Sequence, residues 1–434
     1  MNYSIAKGTF DILPFEENEE EKWRESSRWL YLEEVMRQAA CDYGYKEIRT
    51  PCFERTELFV RGVGESSDIV TKEMYTFMDR GERSMTLRPE ATASVMRSFV
   101  EKRLYSLPGL HKFYYLGPMF RYERPQAGRY RQYHQFGAEA IGVGTPEQDV
   151  ELIDMACEIY RRLGLKQLTV QINSVGDAES RIAYKQALAK FLTPFFEDLS
   201  TDSKVRFSKN ILRILDSKDP KDQKILEEAP ILSEFLTKDA KEHFDKVLKF
   251  LDGLKISYTI NPKLVRGLDY YVKTVFEITT GVLGAQNSIC GGGRFDGLIE
   301  AIGGPSLPSA GFASGIERVL QTMLKQNASF PAELRPFVFI VPMGEKAMEF
   351  AFELVCILRH EKIPADIDLS GKKIQHGLQL ASQVGATYAI VIGEEELSSR
   401  AAKLKNMTTR ESTDCPFADL MKKLKLLYTE NKHV

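Results

Sequence analysis

The spacing of apolar residues changes from helical to alternating within the first third of the chain. Over residues 18–43, apolar side chains fall at i, i+3, i+4 and i+7, which predicts an amphipathic helix. Its apolar face carries Leu32, Val35, Met36 and Ala39. Residues 112–123 and 131–141 are rich in aromatic residues and flank a short polar loop, so they predict an antiparallel β-hairpin.

The second strand of this hairpin is the more informative one. Residues two apart share a face of a strand, which gives this strand one polar side and one mostly apolar side. The polar side carries Tyr133, Gln135, Gly137 and Glu139. A sheet that faces solvent would give the same alternation. Gly137, in contrast, predicts that this face makes room for a bound molecule.

Beyond the hairpin the pattern predicts two further parts. Residues 177–257 are helical and charged, and they predict a helical insertion within a first domain that covers residues 1–325. We expect a linker over residues 326–335 and then a domain over residues 336–434, in which strands and helices alternate. The predicted fold class is α+β, with a C-terminal α/β domain.

Composition restricts the class of protein without identifying it. With 43% apolar and 28% charged residues, the chain has the make-up of a globular enzyme. No apolar run approaches the ~20 residues that span a bilayer, so we expect no membrane segment. The six cysteines include no C-x-x-C pair, which is typical of a cytoplasmic protein without a zinc site or disulfides. The net charge of −2 neither predicts nor excludes a nucleic-acid partner.

Two short stretches combine residue types that a fold alone does not require. Residues 264–271 (LVRGLDYY) place an arginine, an aspartate and two tyrosines together. Residues 290–296 (CGGGRFD) predict a triple-glycine turn followed by Arg-Phe-Asp. Each has a purely structural alternative, because the glycines suit a hairpin turn and Arg266 suits a solvated strand. Together they favour a pocket that holds a small polar molecule by its charges and ring edges.

The sequence has neither of the common phosphate-binding loops, G-x-x-x-x-G-K-[ST] and a helix-opening G-x-G-x-x-G. Arginines offer another route, because a guanidinium group binds phosphate through two parallel hydrogen bonds. The candidates are Arg121, Arg129, Arg131, Arg266 and Arg318. Any one of them taken alone is typical of a surface. As a set they predict an arginine-lined antiparallel sheet.

In this order, the segments resemble a class II aminoacyl-tRNA synthetase, and specifically the histidyl-tRNA synthetase family. Residues 47–51 (EIRTP), the hairpin with FRYE at 120–123, and residues 311–318 (GFASGIER) are similar to the three class motifs. LVRGLDYY and CGGGRFD are similar to the two signatures of the histidine enzymes. The resemblance covers essentially the whole chain and implies a six- or seven-stranded antiparallel sheet flanked by helices. Members commonly have tyrosine where this chain has Phe295, which we interpret as a tolerated change.

The resemblance also implies a site for L-histidine. Its residues would be Glu90, Ala91, Thr92, Gln135, Glu139, Arg266, Tyr270 and Tyr271. Glu90 and Thr92, with Gln135, would hold the α-ammonium group of histidine. Glu139 and Tyr271 would recognise the imidazole ring. A pocket built to pair with ring nitrogens rejects analogues that lack them by roughly 10⁴–10⁵-fold.

A site for ATP is implied beside it. Its residues would be Arg121, Glu123, Arg129 and Arg318. The sequence leaves open whether Arg129 and Arg131 contact ATP, the tRNA end or both in turn. Arg121 would bind the α-phosphate, Glu123 would lie near the adenine amino group, and Arg318 would lie against adenine or the distal phosphates. Arg266 and Arg121 would be catalytic, Arg266 by balancing charge near the reacting carboxylate. Mg²⁺ is expected as the counter-ion of ATP, with no dedicated metal site in the protein.

Partners follow from the same resemblance. The enzyme would form histidyl-adenylate and then esterify the 3′ end of tRNA(His). The C-terminal domain resembles the anticodon-binding domain of this subclass, and family members are homodimers built through the first motif. The alternative is a catalytically silent paralogue that serves as a regulatory subunit of ATP phosphoribosyltransferase. Such paralogues lack the C-terminal domain and have eroded signatures.

Overall fold

The computed structural model describes residues 3–64, 67–126, 128–265, 270–331 and 335–431. The chain divides into two compact units, Met1–Phe330 and Pro331–Val434. Arg266, the residue with the most important predicted chemical role, lies outside the described residues. No described helix is both long enough and apolar enough to cross a bilayer.

The strands of the first unit are short near the N-terminus and longer towards the centre of the chain. They are β1 (Lys46–Glu47), β2 (Phe53–Arg55), β3 (Tyr75–Met78), β4 (Ser84–Leu87), β5 (His111–Phe120), β6 (Gln132–Ile141), β7 (Leu168–Ser174), β8 (Tyr258–Ile260), β9 (Val272–Thr280), β10 (Ser288–Arg294) and β11 (Ser309–Gly315). Within the described ranges, eight of them form one sheet in the order β1-β5-β6-β11-β10-β9-β7-β8. β2, β4 and β3 form a separate small sheet.

The centre of the large sheet is antiparallel, as the sequence predicted. Every pairing from β5 across to β7 is antiparallel, including the predicted hairpin of β5 and β6. β1 and β8 join the two edges in parallel, and they extend the sheet beyond the six or seven strands that the resemblance implied. The eight strands of the large sheet therefore form one continuous surface that brings segments distant in sequence side by side.

The helices of the first unit are α1 (Ser26–Asp42), α2 (Thr56–Val63), α3 (Thr92–Glu101), α4 (Pro146–Arg162), α5 (Ala178–Leu192), α6 (Thr201–Lys209), α7 (Pro220–Ile225), α8 (Lys238–Gly253), α9 (Leu298–Ala301) and α10 (Ile316–Lys325). The predicted helix over 18–43 is interrupted. A 3-10 helix at Glu19–Arg24 ends at Glu25, which is extended, before α1 begins. The interruption lets Trp29 donate its indole N–H to the Trp23 carbonyl at 2.9 Å, with both rings buried.

Two large apolar cores account for the placement of most of these elements, and a smaller cluster holds α2 through Phe59 and Val63. One contains the apolar side of β6, with Phe136 and Ala138, and packs against residues of α1, α4 and α10. The other contains residues of α3 and of the helical region that begins at α5. Because β6 turns its apolar side to the first core, its polar side is left for another use.

The second unit alternates strand and helix, as predicted for the C-terminal part of the fold. Its elements are β12 (Val338–Pro342), α11 (Glu345–His360), β13 (Ala365–Ile367), α12 (Ile374–Gln383), β14 (Tyr388–Ile392), α13 (Glu394–Ser399), β15 (Ala401–Asn406), β16 (Ser412–Pro416) and α14 (Phe417–Asn431). They build a sheet in the order β13-β12-β14-β15-β16. The first three of these strands are parallel and the rest antiparallel.

Candidate active site

A cleft with a volume of about 210 Å³ lies over β5, β6, β11 and β10, which are neighbours in the large sheet. Two groups of side chains line it. We call the first group the acidic group after Glu90; its other members are Thr92, Gln135 and the rings of Tyr115, Tyr270 and Tyr271. The arginine group is Arg121, Arg129 and Arg318 with Glu123. One cleft therefore offers binding partners for both a cation and an anion.

Glu90 caps α3 at the N-terminus of that helix. One of its carboxylate oxygens accepts the N–H of Thr92 at 2.7 Å, and the other accepts the N–H of Ala93 at 3.0 Å. Burial raises the pKa of the Glu90 carboxyl, while these two N–H groups and the charge of Arg121 act in the opposite direction. The carboxylate is thus fixed in orientation before any ligand binds.

Glu139 lies behind Thr92 and is 1% exposed. The Thr92 hydroxyl donates to one Glu139 oxygen at 2.7 Å, whereas the other oxygen has no hydrogen-bond partner in the described structure. Burial raises the pKa of the Glu139 carboxyl well above its usual range, and the nearby Glu90 raises it further. Gln135 lines the cleft, and its buried Oε1 likewise finds no donor among the described residues. A buried acceptor without a donor costs about 1–3 kcal/mol, so a ligand that donates there gains that energy.

Three aromatic rings form one wall of the cleft. The centroid of the Tyr270 ring lies 4.7 Å from that of Tyr271 and 5.4 Å from that of Phe295 in an edge-on arrangement. The Tyr271 carbonyl accepts a hydrogen bond from Arg181 of α5 at 3.1 Å. Because Arg181 belongs to the helical region, that region contacts the backbone of the wall directly.

Gly137 does not make room for a bound molecule, and that prediction is wrong. Tyr115 of β5 is the register partner of Gly137, and a Cβ on Gly137 would clash with the Tyr115 ring. The vacant space is therefore filled by a side chain of the neighbouring strand. Tyr115 itself lines the cleft, and burial beside Glu139 and Glu90 raises the pKa of its phenol well above the usual value. It is consequently a neutral hydroxyl at physiological pH.

The arginine group is held by backbone carbonyls. Arg121 donates through Nε to the carbonyl of Pro89 at 2.9 Å. Arg318 donates to the carbonyls of Gly128 and Ser288 at 3.0 and 2.7 Å, and burial together with the charge of Arg129 lowers its pKa. Clustered guanidinium groups in a partly buried site favour a multiply charged anion such as a triphosphate.

Glu123 and Glu317 set the positions of these arginines. Glu123 forms an ion pair with Arg129 at 3.0 Å. Glu317, at the start of α10, accepts the backbone N–H of His134 at 2.8 Å and lies 3.0 Å from the Nδ1 of that ring. This contact ties α10, and with it Arg318, to strand β6. Sequence reasoning did not identify Glu317 or Tyr115, because both act through partners distant in sequence.

The triple glycine is a strand and not a turn, which corrects the prediction. Gly291–Gly293 lies inside β10 and pairs with β9 on one side and β11 on the other. A Cβ on Gly292 would clash with the Gly311 carbonyl and the Phe312 side chain, and Gly293 has a φ of +154°. The glycines therefore permit close approach between strands.

Arg294, which follows the glycines, is buried away from the cleft. Its guanidinium group donates to Asp149 at 2.5 Å and to Asp296 at 3.0 Å. Asp149 also lies 2.8 Å from Nε2 of His243 on α8. Arg294 thus joins the sheet to α4 and, through Asp149, to α8. Of residues 294–296, only Phe295 lines the cleft.

The structure gathers most of the predicted site residues around one cleft. Those that line it are Glu90, Thr92, Arg121, Glu123, Arg129, Gln135, Tyr270, Tyr271 and Arg318. Ala91 is the N-cap residue of α3 and is fully buried, and Glu139 is reached through Thr92. Arg266 lies outside the described residues.

Comparison with known proteins gives matches over nearly the whole chain. A histidyl-tRNA synthetase model matches residues 15–319, and an anticodon binding domain model matches residues 337–427. The histidine–tRNA ligase of Protochlamydia amoebophila is 52% identical over 98% of this chain and 100% of its own length. That of Thermosynechococcus vestitus is 47% identical over 97% of this chain and 96% of its own. The crystal structure of apo S. aureus histidyl-tRNA synthetase is 40% identical, covers 98% of this chain and 100% of its own, and has a TM-score of 0.83.

Proposed function

This chain belongs to the histidyl-tRNA synthetase family, and we propose that it is a histidine–tRNA ligase. In the first step the carboxylate of L-histidine attacks the α-phosphorus of ATP, the bond to the β-phosphate oxygen breaks, and histidyl-adenylate and pyrophosphate form. In the second step the 3′-terminal adenosine of tRNA(His) takes the histidyl group and releases AMP. The observation that carries the proposal is the single cleft that joins a fixed, buried carboxylate to three arginines.

We propose that the acidic group binds histidine. Glu90 presents a carboxylate of fixed orientation to the α-ammonium group, and Thr92 and Gln135 complete that contact. Glu139 and Tyr271 recognise the imidazole ring. The unpartnered oxygens of Gln135 and Glu139 support this assignment, because histidine supplies N–H donors on both the ammonium group and the ring.

The arginine group binds ATP in this proposal. Arg121 contacts the α-phosphate, Arg318 lies against adenine or the distal phosphates, and Arg129 is released from Glu123 to meet phosphate. Glu123 is then available to the adenine amino group. No side chain acts as a general base, because the histidine carboxylate is already ionised. Catalysis comes from positioning and from arginine charge at the α-phosphate, with Arg266 proposed as the second catalytic residue.

Mg²⁺ would accompany ATP. The carboxylates that line the cleft have other partners in the proposal, since Glu123 meets the adenine amino group and Glu317 accepts from His134. These residues do not provide a complete ligand set, and in the proposal the phosphates and water supply most of the ligands. The bound ion would neutralise phosphate charge.

The domain limits proposed from the sequence are 1–325 for the catalytic part, with its insertion at 177–257, and 336–434 for the anticodon-binding part. The ends of the two family models, at 319 and 337, support a linker over 326–335. Near full-length relatives that carry the ligase name favour this function over the regulatory alternative. We propose a cytoplasmic location, which the six free cysteines support.

We also propose a homodimer. The small sheet exposes two large apolar rings close in sequence to the first class motif, Phe53 at 50% and Phe77 at 44% exposure, with ring centroids 6.2 Å apart. Contiguous exposed apolar side chains are typical of protein interfaces. Replacing both residues by aspartate should yield a monomer in size-exclusion chromatography with light scattering. A monomeric wild-type protein would contradict the proposal.

Histidine-dependent ATP–pyrophosphate exchange tests the proposed chemistry. Arg121→Ala and Arg266→Ala should each lower the exchange rate by roughly 10²-fold or more, since a transition-state charge contact is removed. Arg161→Ala is the matched control, because Arg161 lies on α4 with a side chain that is 74% exposed. Near-wild-type exchange in both arginine variants, or no exchange with histidine in the wild type, would overturn the assignment.

A further inference from the structure

The N-terminal segment 6–10 packs on the loop 121–131 that joins β5 to β6. The N–H of Arg131 donates to the Gly8 carbonyl at 2.7 Å, and the Arg131 carbonyl accepts the N–H of Arg121 at 2.9 Å. One residue, Arg131, thus links the backbone of Gly8 to the backbone of Arg121. The segment therefore contacts the base of the loop that carries the proposed phosphate-binding residues.

Gly8 fits this contact because it has no side chain. Its φ is +86°, in the left-handed region, and an added Cβ would lie 2.9 Å from the Cγ atoms of both Arg131 and Pro125. The turn that contains it is closed by Thr9, whose hydroxyl donates to the Ala6 carbonyl at 2.7 Å. A larger residue at position 8 would strain the turn and push against the loop at once.

Phe10 adds a second contact with the same loop. Its ring centroid lies 4.9 Å from that of Tyr130 and 4.9 Å from that of Trp23, edge-on in both cases. Tyr130 lines the cleft beside Arg129, and its hydroxyl accepts a hydrogen bond from Gln321 of α10 at 3.0 Å. Phe10 therefore holds Tyr130 between the N-terminal segment and the helix that carries Arg318.

We propose that residues 6–10 are positioning residues for ATP, and we name this segment the N-terminal brace. The inference rests on the proposed function, in which Arg121 and Arg129 bind ATP. The brace forms hydrogen bonds with the loop and ring contacts with Tyr130 and Trp23. These contacts lie on the arginine side of the cleft. Weakening the brace should therefore impair the use of ATP more than the use of histidine.

The first test is Gly8→Ala in the full-length protein, assayed by pyrophosphate exchange. The KM for ATP should rise by roughly 10-fold to 10²-fold, because a displacement of about 1 Å in a positioned group has effects of this size. The KM for histidine should change by no more than about twofold, since the acidic group is untouched. Gly164→Ala is the matched control. Gly164 has a φ of +73° with nothing within 4 Å of an added Cβ, so it carries backbone strain without a loop contact.

Phe10→Leu and Phe10→Tyr provide a second pair that does not depend on glycine geometry. Leucine removes the ring contacts with Tyr130 and should raise the KM for ATP. Tyrosine keeps the ring, so Phe10→Tyr should have the wild-type KM for ATP. The two tryptophans of the chain, Trp23 and Trp29, both lie in the cluster that Phe10 enters. Their fluorescence therefore reports on this region, and the half-saturation point of an ATP titration should shift in Phe10→Leu in step with the KM.

The outcomes separate the two proposals. An inactive wild type contradicts the ligase function itself. Suppose that the wild type is active and that Gly8→Ala and Phe10→Leu melt at lower temperature, as Gly164→Ala does. If both variants then keep the wild-type KM for ATP, the brace proposal alone is overturned. A parallel rise in the KM for both substrates also overturns it, because that pattern indicates general damage.

Discussion

The burial of Glu139 should lower the free energy of unfolding, and this effect can be measured. It is 1% exposed, one carboxylate oxygen has no partner within the described structure, and burial raises its pKa well above the usual range. Glu139→Gln keeps the shape and the oxygen that accepts from Thr92, but it removes the ionisable group. In the absence of ligand this variant should be more stable than the wild type at pH 8.

The magnitude and its pH dependence follow from the direction of the pKa shift. An unsatisfied buried acceptor costs about 1–3 kcal/mol, more when it is charged, so the gain should lie in that range. The folded-state pKa of Glu139 lies above the reference value of 4.5, so folding favours the protonated form. The contribution of this group is fully present below pH 4.5 and is lost as the pH rises towards the folded pKa. The advantage of Glu139→Gln should therefore widen upward from pH 4.5 and then level off.

Urea unfolding followed by tryptophan fluorescence measures this effect, because Trp23 and Trp29 both lie in the first unit. Glu90→Gln is the matched control, and it should gain less, since both Glu90 oxygens already accept backbone N–H groups. Glu139→Gln should also lose histidine-dependent exchange. A Glu139→Gln protein that gains no more stability than Glu90→Gln at pH 8 would refute the reasoning.

Three further predictions concern packing and positioning. Arg294→Met leaves the buried carboxylate of Asp149 without its closest partner and should lower the free energy of unfolding by about 3–5 kcal/mol, measured by urea unfolding. A loss below about 1 kcal/mol would contradict the ion-pair account. Gly292→Ala introduces a clash between strands and should destabilise by about 1–3 kcal/mol, and an unchanged melting temperature would show that the strands can separate without cost. Arg181→Ala removes the hydrogen bond to the Tyr271 carbonyl and should raise the KM for histidine while leaving that for ATP unchanged; equal changes in both would argue against a local effect.

The hairpin shows how much of the site the sequence could predict. Alternation along β6 assigned Gln135 and Glu139 to one side and Phe136 and Ala138 to the other, and the second pair lies in the core. This inference worked because side-chain direction in a strand is a local property with a period of two. The arginines were identified for a similar reason, since their charge is a property of the residue type.

The glycines show that strand pairing could not be predicted from the sequence. A run of three glycines suggests a turn when only local conformation is considered. In the structure the same residues allow β10 to lie against β11 and Phe312, and Gly137 accommodates Tyr115. Which strands become neighbours is a long-range property, so neither the β10 pairing nor the role of Tyr115 was visible along the chain. The predicted role of Arg266 stays a prediction.

Charging of tRNA(His) with radiolabelled histidine tests the central claim most directly. The purified protein, with ATP and Mg²⁺, should attach histidine to the 3′ end of a tRNA(His) transcript and should release AMP and pyrophosphate in equal amounts. The reaction should require histidine and fail with the other standard amino acids. A folded protein that binds histidine but neither exchanges pyrophosphate nor charges tRNA(His) would contradict the account and favour the regulatory alternative.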